Sequence, residues 1–111
     1  MPFNNFTLSS IDLTGVYQSS VAWGDYDNDG DLDILLTGKA GSNNPVAKVY
    51  RNDSGTFTDI GASLTGVYGG SAAWGDYDND GDLDILLTGM NVCKVYRNDS
   101  GTFTDVGAFP D

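Results

Sequence analysis

The chain has 111 residues and a formal net charge of −11, from 16 acidic against 5 basic residues. Every acid is Asp, and the absence of Glu and His leaves few strong helix formers and removes the commonest general base. We therefore expect an all-β protein that is not an enzyme, and the negative charge argues against a nucleic acid as a direct partner.

The sequence contains no recognisable targeting or membrane-spanning segment and only one cysteine. The sequence shows no signal peptide and no apolar run near the ~20 residues of a membrane-spanning helix, so we expect no membrane insertion. The single cysteine, Cys93, excludes an internal disulfide. Because free cysteine is usually buried, we expect Cys93 to be a small buried strand residue.

Two near-identical copies of one unit make up most of the chain. The 17 residues of 22–38, AWGDYDNDGDLDILLTG, recur unchanged at 73–89, and the residues of 48–59, KVYRNDSGTFTD, recur at 94–105. Nine residues, KAGSNNPVA, connect these segments in unit one, and four, MNVC, connect them in unit two. Such a repeat indicates a recent duplication or an engineered fragment of a longer repeat protein.

The sequence predicts four regions in chain order. Residues 1–18 resemble an outer strand and a linker, residues 19–60 form unit one, residues 61–70 are a linker, and residues 71–111 are unit two with a C-terminal tail. Each unit contains an Asp-rich loop after its first strand and an NDSG hairpin turn before its last. The predicted strands are Ser19–Trp23, Leu32–Thr37, Ala47–Arg51 and Thr56–Ile60, then Ser71–Trp74, Leu83–Thr88, Lys94–Arg97 and Thr102–Val106.

The second strand of each unit is apolar on both faces. In unit one, Leu32, Ile34 and Leu36 lie on one face and Leu35 on the other. A four-stranded unit that needs cover on both faces is typical of a β-propeller blade stacked between neighbours. A single β-sandwich of eight or nine strands is the alternative at this length, but the repeat favours two four-stranded antiparallel blades.

Two blades are too few for a closed propeller, since closed rings use roughly four to eight. We therefore expect the ring to close by oligomerisation, as a head-to-tail cyclic homo-oligomer. Two, three or four chains would supply four, six or eight blades, and we favour a trimer or a tetramer.

The Asp-rich loop is Asp25–Asp33 in unit one and Asp76–Asp84 in unit two. Each loop has Asp at positions 1, 3, 5, 7 and 9 and Gly at position 6. Alternate carboxylates on a curling backbone suit Ca²⁺, which takes about six to eight oxygens, whereas Mg²⁺ keeps more of its waters. The last ligand position of an EF-hand falls on Leu36 or Leu87, so position 9 must close the site. A solvated acidic hairpin is the alternative, although its carboxylates would repel one another.

The stretches SVAWGDYDNDGDLDILLTG and SAAWGDYDNDGDLDILLTG resemble the FG-GAP repeat of integrin α-subunit propellers and its bacterial and fungal VCBS-type relatives. In that family a nine-residue DxDxDGxxD loop joins the first two strands of a blade and binds Ca²⁺. The resemblance therefore implies an integrin-like β-propeller with about one Ca²⁺ per repeat, two per chain. The ligands it implies are Asp25, Asp27, Asp29, Asp31 (through its carbonyl) and Asp33, with Asp76, Asp78, Asp80, Asp82 and Asp84 in unit two.

These observations predict a Ca²⁺-binding propeller fragment in which the metal is mainly structural and the assembled ring is a scaffold or adhesion module. If its calcium sites are as weak as those of other extracellular modules, an extracellular or cell-surface origin follows. The alternative is a carbohydrate-binding lectin with sites between blades. Its candidate sugar platforms are Trp23, Trp74, Tyr26 and Tyr77, although packing between blades is the stronger expectation for the tryptophans.

Overall fold

The computed structural model describes residues 13–106, which form two four-stranded antiparallel sheets whose strands pair in chain order. This confirms the expected all-β architecture, and each predicted strand overlaps an observed one. The strands are β1 (Tyr17–Gly24), β2 (Asp33–Ala40), β3 (Asn44–Asp53) and β4 (Thr56–Asp59) in the first sheet, and β5 (Ser71–Gly75), β6 (Asp84–Gly89), β7 (Val92–Asp99) and β8 (Thr102–Asp105) in the second.

The predicted N-terminal outer strand lies outside the described residues, as does the C-terminal tail beyond residue 106. Of the predicted 1–18 region, only Tyr17 and Gln18 belong to a described strand, the beginning of β1. Residues 60–70 connect the two sheets without a strand of their own. Within residues 13–106 there is no helix long and apolar enough to cross a membrane.

Leu32 corrects the sequence prediction for the second strand. β2 begins at Asp33, so Leu32 belongs to the Asp-rich loop, and it is 52% exposed. It therefore does not share a buried face with Ile34 and Leu36, which are 4% and 8% exposed. The strand therefore begins one residue later than the run of apolar residues in the sequence predicts.

A tight turn joins the last two strands of each sheet. Ser54 and Gly55 have φ angles of 53° and 97°, and Ser100 and Gly101 have φ angles of 53° and 93°. Positive φ at both central residues gives a hairpin turn whose twist matches that of the paired strands, as expected for the NDSG sequence.

The five extra residues of unit one lengthen its central hairpin. β2 and β3 have 8 and 10 residues, against 6 and 8 in β6 and β7. The turn between them also grows, from residues 90–91 in unit two to residues 41–43 in unit one. The longer hairpin reaches the connection between the sheets, where the Val67 N–H donates to the Val46 carbonyl at 3.4 Å. This contact joins the central hairpin of unit one to the linker between the sheets.

The core lies between the two sheets. Leu35 and Val49 of the first sheet form one buried cluster with Ile85 and Leu87 of the second, and none of the four is more than 1% exposed. Burying each such side chain contributes roughly 1.5–3 kcal/mol, so this shared cluster joins the two units.

Cys93 departs from the sequence expectation of a buried strand residue, because it is exposed on β7. Its counterpart in unit one, Ala47, is 8% exposed and belongs to the core between the sheets. The difference arises because this face of the first sheet is covered by the second, whereas the same face of the second sheet is open within the described residues.

Candidate metal centre

Each Asp-rich loop gathers four carboxylates into one cluster. The side chains at loop positions 1, 3, 5 and 9 each place an oxygen within 4.8 Å of the others. These residues are Asp25, Asp27, Asp29 and Asp33 in the first loop, and Asp76, Asp78, Asp80 and Asp84 in the second.

Hydrogen bonds from the loop backbone explain why the chain curls around this point. The Asp25 carboxylate accepts the N–H of Asp29 at 3.1 Å and the N–H of Gly30 at 2.9 Å. The Asp29 carboxylate accepts the N–H of Asp31 at 2.9 Å. Asn28 and Gly30 have positive φ angles of 59° and 92°, which these two residue types tolerate best. The second loop repeats these bonds and angles.

Asp33 attaches the first loop to the sheet. Its carboxylate is fully buried at the start of β2, where one oxygen accepts the Tyr26 N–H at 3.2 Å and the other the Asn52 N–H at 2.7 Å. Asp84 does the same in the second loop. Each carboxylate oxygen has a second acceptor site, so the anchor can still face a cation.

The carboxylates of Asp31 and Asp82 are not brought into the clusters. The Asp31 side chain accepts the Ser54 N–H at 2.9 Å, on the hairpin turn. The Asp82 side chain accepts the Asn28 side-chain amide at 2.9 Å, which joins the two loops. This placement leaves loop position 7 only its backbone carbonyl to offer to an ion, as the family resemblance implies.

None of the ten loop aspartates forms an ion pair within residues 13–106. Four ion pairs at 2.7–3.0 Å use four of the five basic residues, and all four acidic partners lie outside the loops. The pairs are Lys48–Asp59, Arg51–Asp53, Lys94–Asp105 and Arg97–Asp99. The clustered carboxylates therefore repel one another, and among these residues no ion pair offsets the repulsion, although the charge of Arg51 acts on Asp27.

Among the clustered carboxylates, the one at loop position 3 has the most strongly raised pKa. Burial, followed by the charges of the neighbouring loop carboxylates, raises the pKa of Asp27 to about 7. Desolvation followed by the same neighbours raises the pKa of Asp78 to about 6. In addition, Oδ1 of Asp27 is buried and has no hydrogen-bond partner among residues 13–106. A buried acceptor without a donor is costly, so a bound cation fits at this atom.

The carboxylate at loop position 1 has the opposite tendency. Burial raises the pKa of Asp25, but the N–H groups of Gly30 and Asp29 outweigh it and hold the pKa below its ordinary value. The Gly81 N–H is the main cause that lowers the pKa of Asp76. Both side chains therefore stay ionised at neutral pH and contribute negative charge to their clusters.

The donor set fits a hard cation. The four clustered carboxylates of each loop offer only oxygen, which is the ligand type of Ca²⁺ and Mg²⁺. Neither cluster contains a nitrogen or sulfur ligand of the kind that selects zinc or copper.

The four aromatic residues proposed as sugar platforms fall into two pairs. Tyr26 stacks on Trp74 between the sheets, with ring centroids 5.8 Å apart and planes 5° from parallel. Trp23 and Tyr77 are 59% and 53% exposed. The inner pair is thus in mutual contact, and the outer pair faces solvent.

Sequence reasoning missed the structural role of two asparagines. Asn98 is fully buried, and its side-chain amide donates to the carbonyls of Tyr26 and Leu83 at 2.9 Å each, which ties the first loop to the second sheet. Asn28 joins the two loops through Asp82. In the sequence these asparagines appear only within the motifs NDSG (Asn98) and DND (Asn28). Both motifs are also typical of ordinary turns, so neither predicts the contacts between the units.

A comparison with protein-family models identifies the repeat. The model for FG-GAP-like repeats matches residues 25–87, more than half of the chain. The chain belongs to the FG-GAP-like repeat family. This match confirms the resemblance drawn from the two loops and covers both of them. Neither the curated proteins nor the solved structures that were compared match the chain.

The FG-GAP-like chain also contains a cleft of about 780 Å³ between its sheets. Asp27 and Arg51 of the first unit and Asp82 and Phe103 of the second contribute to its lining. The cleft combines charged groups of both signs with an aromatic ring, a mixture suited to a polar ligand with an apolar face.

Proposed function

We propose that this FG-GAP-like chain is a Ca²⁺-binding module in which each Asp-rich loop holds one ion and the metal is mainly structural. The observation that carries the proposal is that each loop brings four carboxylates together with no ion pair to a basic side chain among the described residues. In the first loop, Asp27 also has a buried oxygen with no hydrogen-bond donor among these residues. Two bound ions would offset four of the eleven net negative charges.

Calcium fits the loops better than magnesium. Ca²⁺ accepts many protein oxygens in flexible geometry, whereas Mg²⁺ demands a near-ideal octahedron and keeps several waters. Each loop supplies at least five oxygen donors, counting the carbonyl of position 7, and its curl is fixed by backbone hydrogen bonds. A metal held in this way fixes the connection between the first two strands of each sheet.

The two sheets are, in this proposal, two blades of a β-propeller that copies of the chain complete by head-to-tail assembly into a ring of six or eight blades. Membership of the FG-GAP-like family and the face-to-face packing of two four-stranded sheets support it. The ring would serve as an extracellular or cell-surface scaffold or adhesion module.

The first experiment compares thermal unfolding with Ca²⁺ and with a chelator, in the wild type and in Asp27→Asn/Asp78→Asn. With free Ca²⁺ at about 100 times its Kd, each site adds about 2.7 kcal/mol, so the two sites together raise the wild-type Tm by roughly 20 °C. The double variant removes one carboxylate charge from each cluster and loses most of this rise.

The matched control is Asp53→Asn/Asp99→Asn, which removes the same charge from two exposed ion pairs outside the clusters. This variant keeps the full Ca²⁺ response. A wild-type Tm that is equal in Ca²⁺ and chelator, or an equal loss of response in both double variants, contradicts the proposed calcium sites.

Carbohydrate binding between the blades is the second candidate, and the cleft of about 780 Å³ favours it. A glycan array of the Ca²⁺-loaded protein tests this role. Specific binding that Arg51→Ala abolishes and Trp23→Ala leaves intact supports a lectin site in the cleft. Absence of binding to every glycan leaves the scaffold role alone.

A further inference from the structure

Identical residues of the two units differ widely in exposure, and the difference defines an open face on the second sheet. Tyr26 is 4% exposed but its copy Tyr77 is 53% exposed. Leu35 is 0% exposed but its copy Leu86 is 41% exposed. Because the surrounding sequence is the same, only the presence of a neighbouring sheet explains the contrast. We call this surface of the second sheet the leading face.

The first sheet has a complementary surface that is open along β1, where Trp23 and Val21 lie, and we call it the trailing face. The Ile34 and Leu36 side chains beside them are buried under Val16 and Phe57. Trp23 is 59% exposed, whereas its copy Trp74 is half-buried against the first sheet. Val21 is also 59% exposed, whereas the equivalent Ala72 is 6% exposed. Both open faces expose large apolar side chains that the copies of the same residues bury inside the chain, which marks them as interaction surfaces.

The contact between the two sheets shows how such faces fit together. The Trp74 ring lies directly over Gly24, where an added Cβ would come within 2.5 Å of Trp74 Cδ1. The ring stacks on Tyr26, and its Nε1–H donates to the Ala22 carbonyl at 3.3 Å. Any side chain at position 24 would therefore clash with the Trp74 ring, so this position requires glycine.

The leading face has an equivalent groove for a tryptophan ring, and no side chain of the described residues fills it. An apolar groove of about 340 Å³ lies there, lined by residues that include Ala73, Gly75, Tyr77, Leu86 and Val95. These are the copies of Ala22, Gly24, Tyr26, Leu35 and Val49, which surround the seat of Trp74. At Gly75 an added Cβ meets nothing within 4 Å.

We propose that a second copy of this chain docks its trailing face on the leading face, with its Trp23 ring in the groove over Gly75 and stacked on Tyr77. The proposal rests on the proposed ring assembly and names the contact that closes it. The Asn52 side chain of the docking copy donates to the Tyr77 carbonyl, as Asn98 does to Tyr26 within the chain. Because the two faces differ, the contact is head-to-tail, and repeating it forms a ring when the rotation between successive copies closes.

The mass of the Ca²⁺-loaded protein in solution, from light scattering, tests this contact with Gly75→Ala. The added methyl group meets nothing in the free chain but collides with Trp23 in the assembly. The wild type has the mass of three or four chains, and the variant dissociates at a concentration about thirtyfold higher or more, the loss typical of an interface hot spot. Calcium binding, measured separately by calorimetry, is unchanged.

Trp23→Lys and Leu86→Asp test the direction of the contact. Each blocks one face, so each variant alone has the mass of one chain. An equimolar mixture forms dimers, because the intact leading face of the first variant meets the intact trailing face of the second. Thr58→Lys is the control, since Thr58 and its copy Thr104 are equally exposed on outer strands, and it assembles like the wild type.

The native Cys93 provides an independent probe, because its counterpart Ala47 is buried between the sheets. Cys93 reacts slowly with a thiol reagent in the wild-type assembly and rapidly in Gly75→Ala. A wild-type assembly that survives all three face substitutions, or variants that form no dimer when mixed, overturns this contact but not ring assembly. A wild-type mass of one chain overturns both and leaves the calcium sites standing.

Discussion

At the scale of single residues, the carboxylates of each loop divide into those that shape the loop and those left for a cation. Asp25 and Asp33 each accept two backbone N–H groups, at 2.7–3.2 Å. Asp27 instead has a buried oxygen without a donor. Substituting these positions therefore has different consequences, although all three are candidate ligands.

Asp33→Ala lowers stability even in chelator. The substitution leaves the N–H groups of Tyr26 and Asn52 without an acceptor, at roughly 1–3 kcal/mol for each N–H. Asp27→Asn in chelator is neutral or stabilising, because it removes charge from the crowded cluster. Urea unfolding of the metal-free variants measures both effects. Equal destabilisation by the two substitutions would show that they do not play separate roles.

The pH dependence of the metal-free protein follows from the raised pKa of Asp27. Its ordinary value is 3.8 and the folded value is about 7, so the folded state binds a proton more tightly than the unfolded state. This contribution to stability is full below pH 4 and is lost as the pH rises to about 7. In saturating Ca²⁺ the trend reverses, since protons compete with the ion. Chemical denaturation at pH 5 and pH 8, with and without Ca²⁺, distinguishes these slopes.

At the scale of strands and turns, two copies of the same glycine provide a direct comparison. Gly24→Ala forces a methyl group against the Trp74 ring and destabilises the fold by roughly 1–3 kcal/mol. Gly75→Ala has open space and leaves the unfolding free energy of a single chain unchanged. Urea unfolding of both variants at a concentration where the chain is monomeric measures the pair. An equal cost at both positions would contradict the packing between the sheets.

The strands themselves were predictable because their local signals agree. Apolar runs, the NDSG turns and the loop glycines placed all eight strands, and the spacing of Asp letters predicted both carboxylate clusters. The exposure of Cys93 was not predictable, since it depends on which sheet covers which face. The exposure of Leu32 was missed because β2 begins only at Asp33. The link from Asn98 to the Tyr26 carbonyl joins residues 72 positions apart, and no local pattern encodes it.

At the scale of the whole molecule, most of the net charge of −11 is located in the two Asp-rich loops. Ten of the 16 acidic residues lie in the two loops, while four of the others neutralise four of the five basic residues. Most of the charge is therefore a local property of the two Asp-rich loops, whose clustered carboxylates could hold a metal ion. The open faces belong to the same scale, since they show where the chain would meet its neighbours.

Isothermal titration calorimetry with Ca²⁺ tests the central claim most directly, because it counts the ions. We expect two ions per chain in the wild type and one per chain in either Asp27→Asn or Asp78→Asn. Sites of the weak extracellular type have Kd values of about 10⁻⁴–10⁻³ M, so the titration extends into the millimolar range. Absence of binding heat throughout that range would contradict the account.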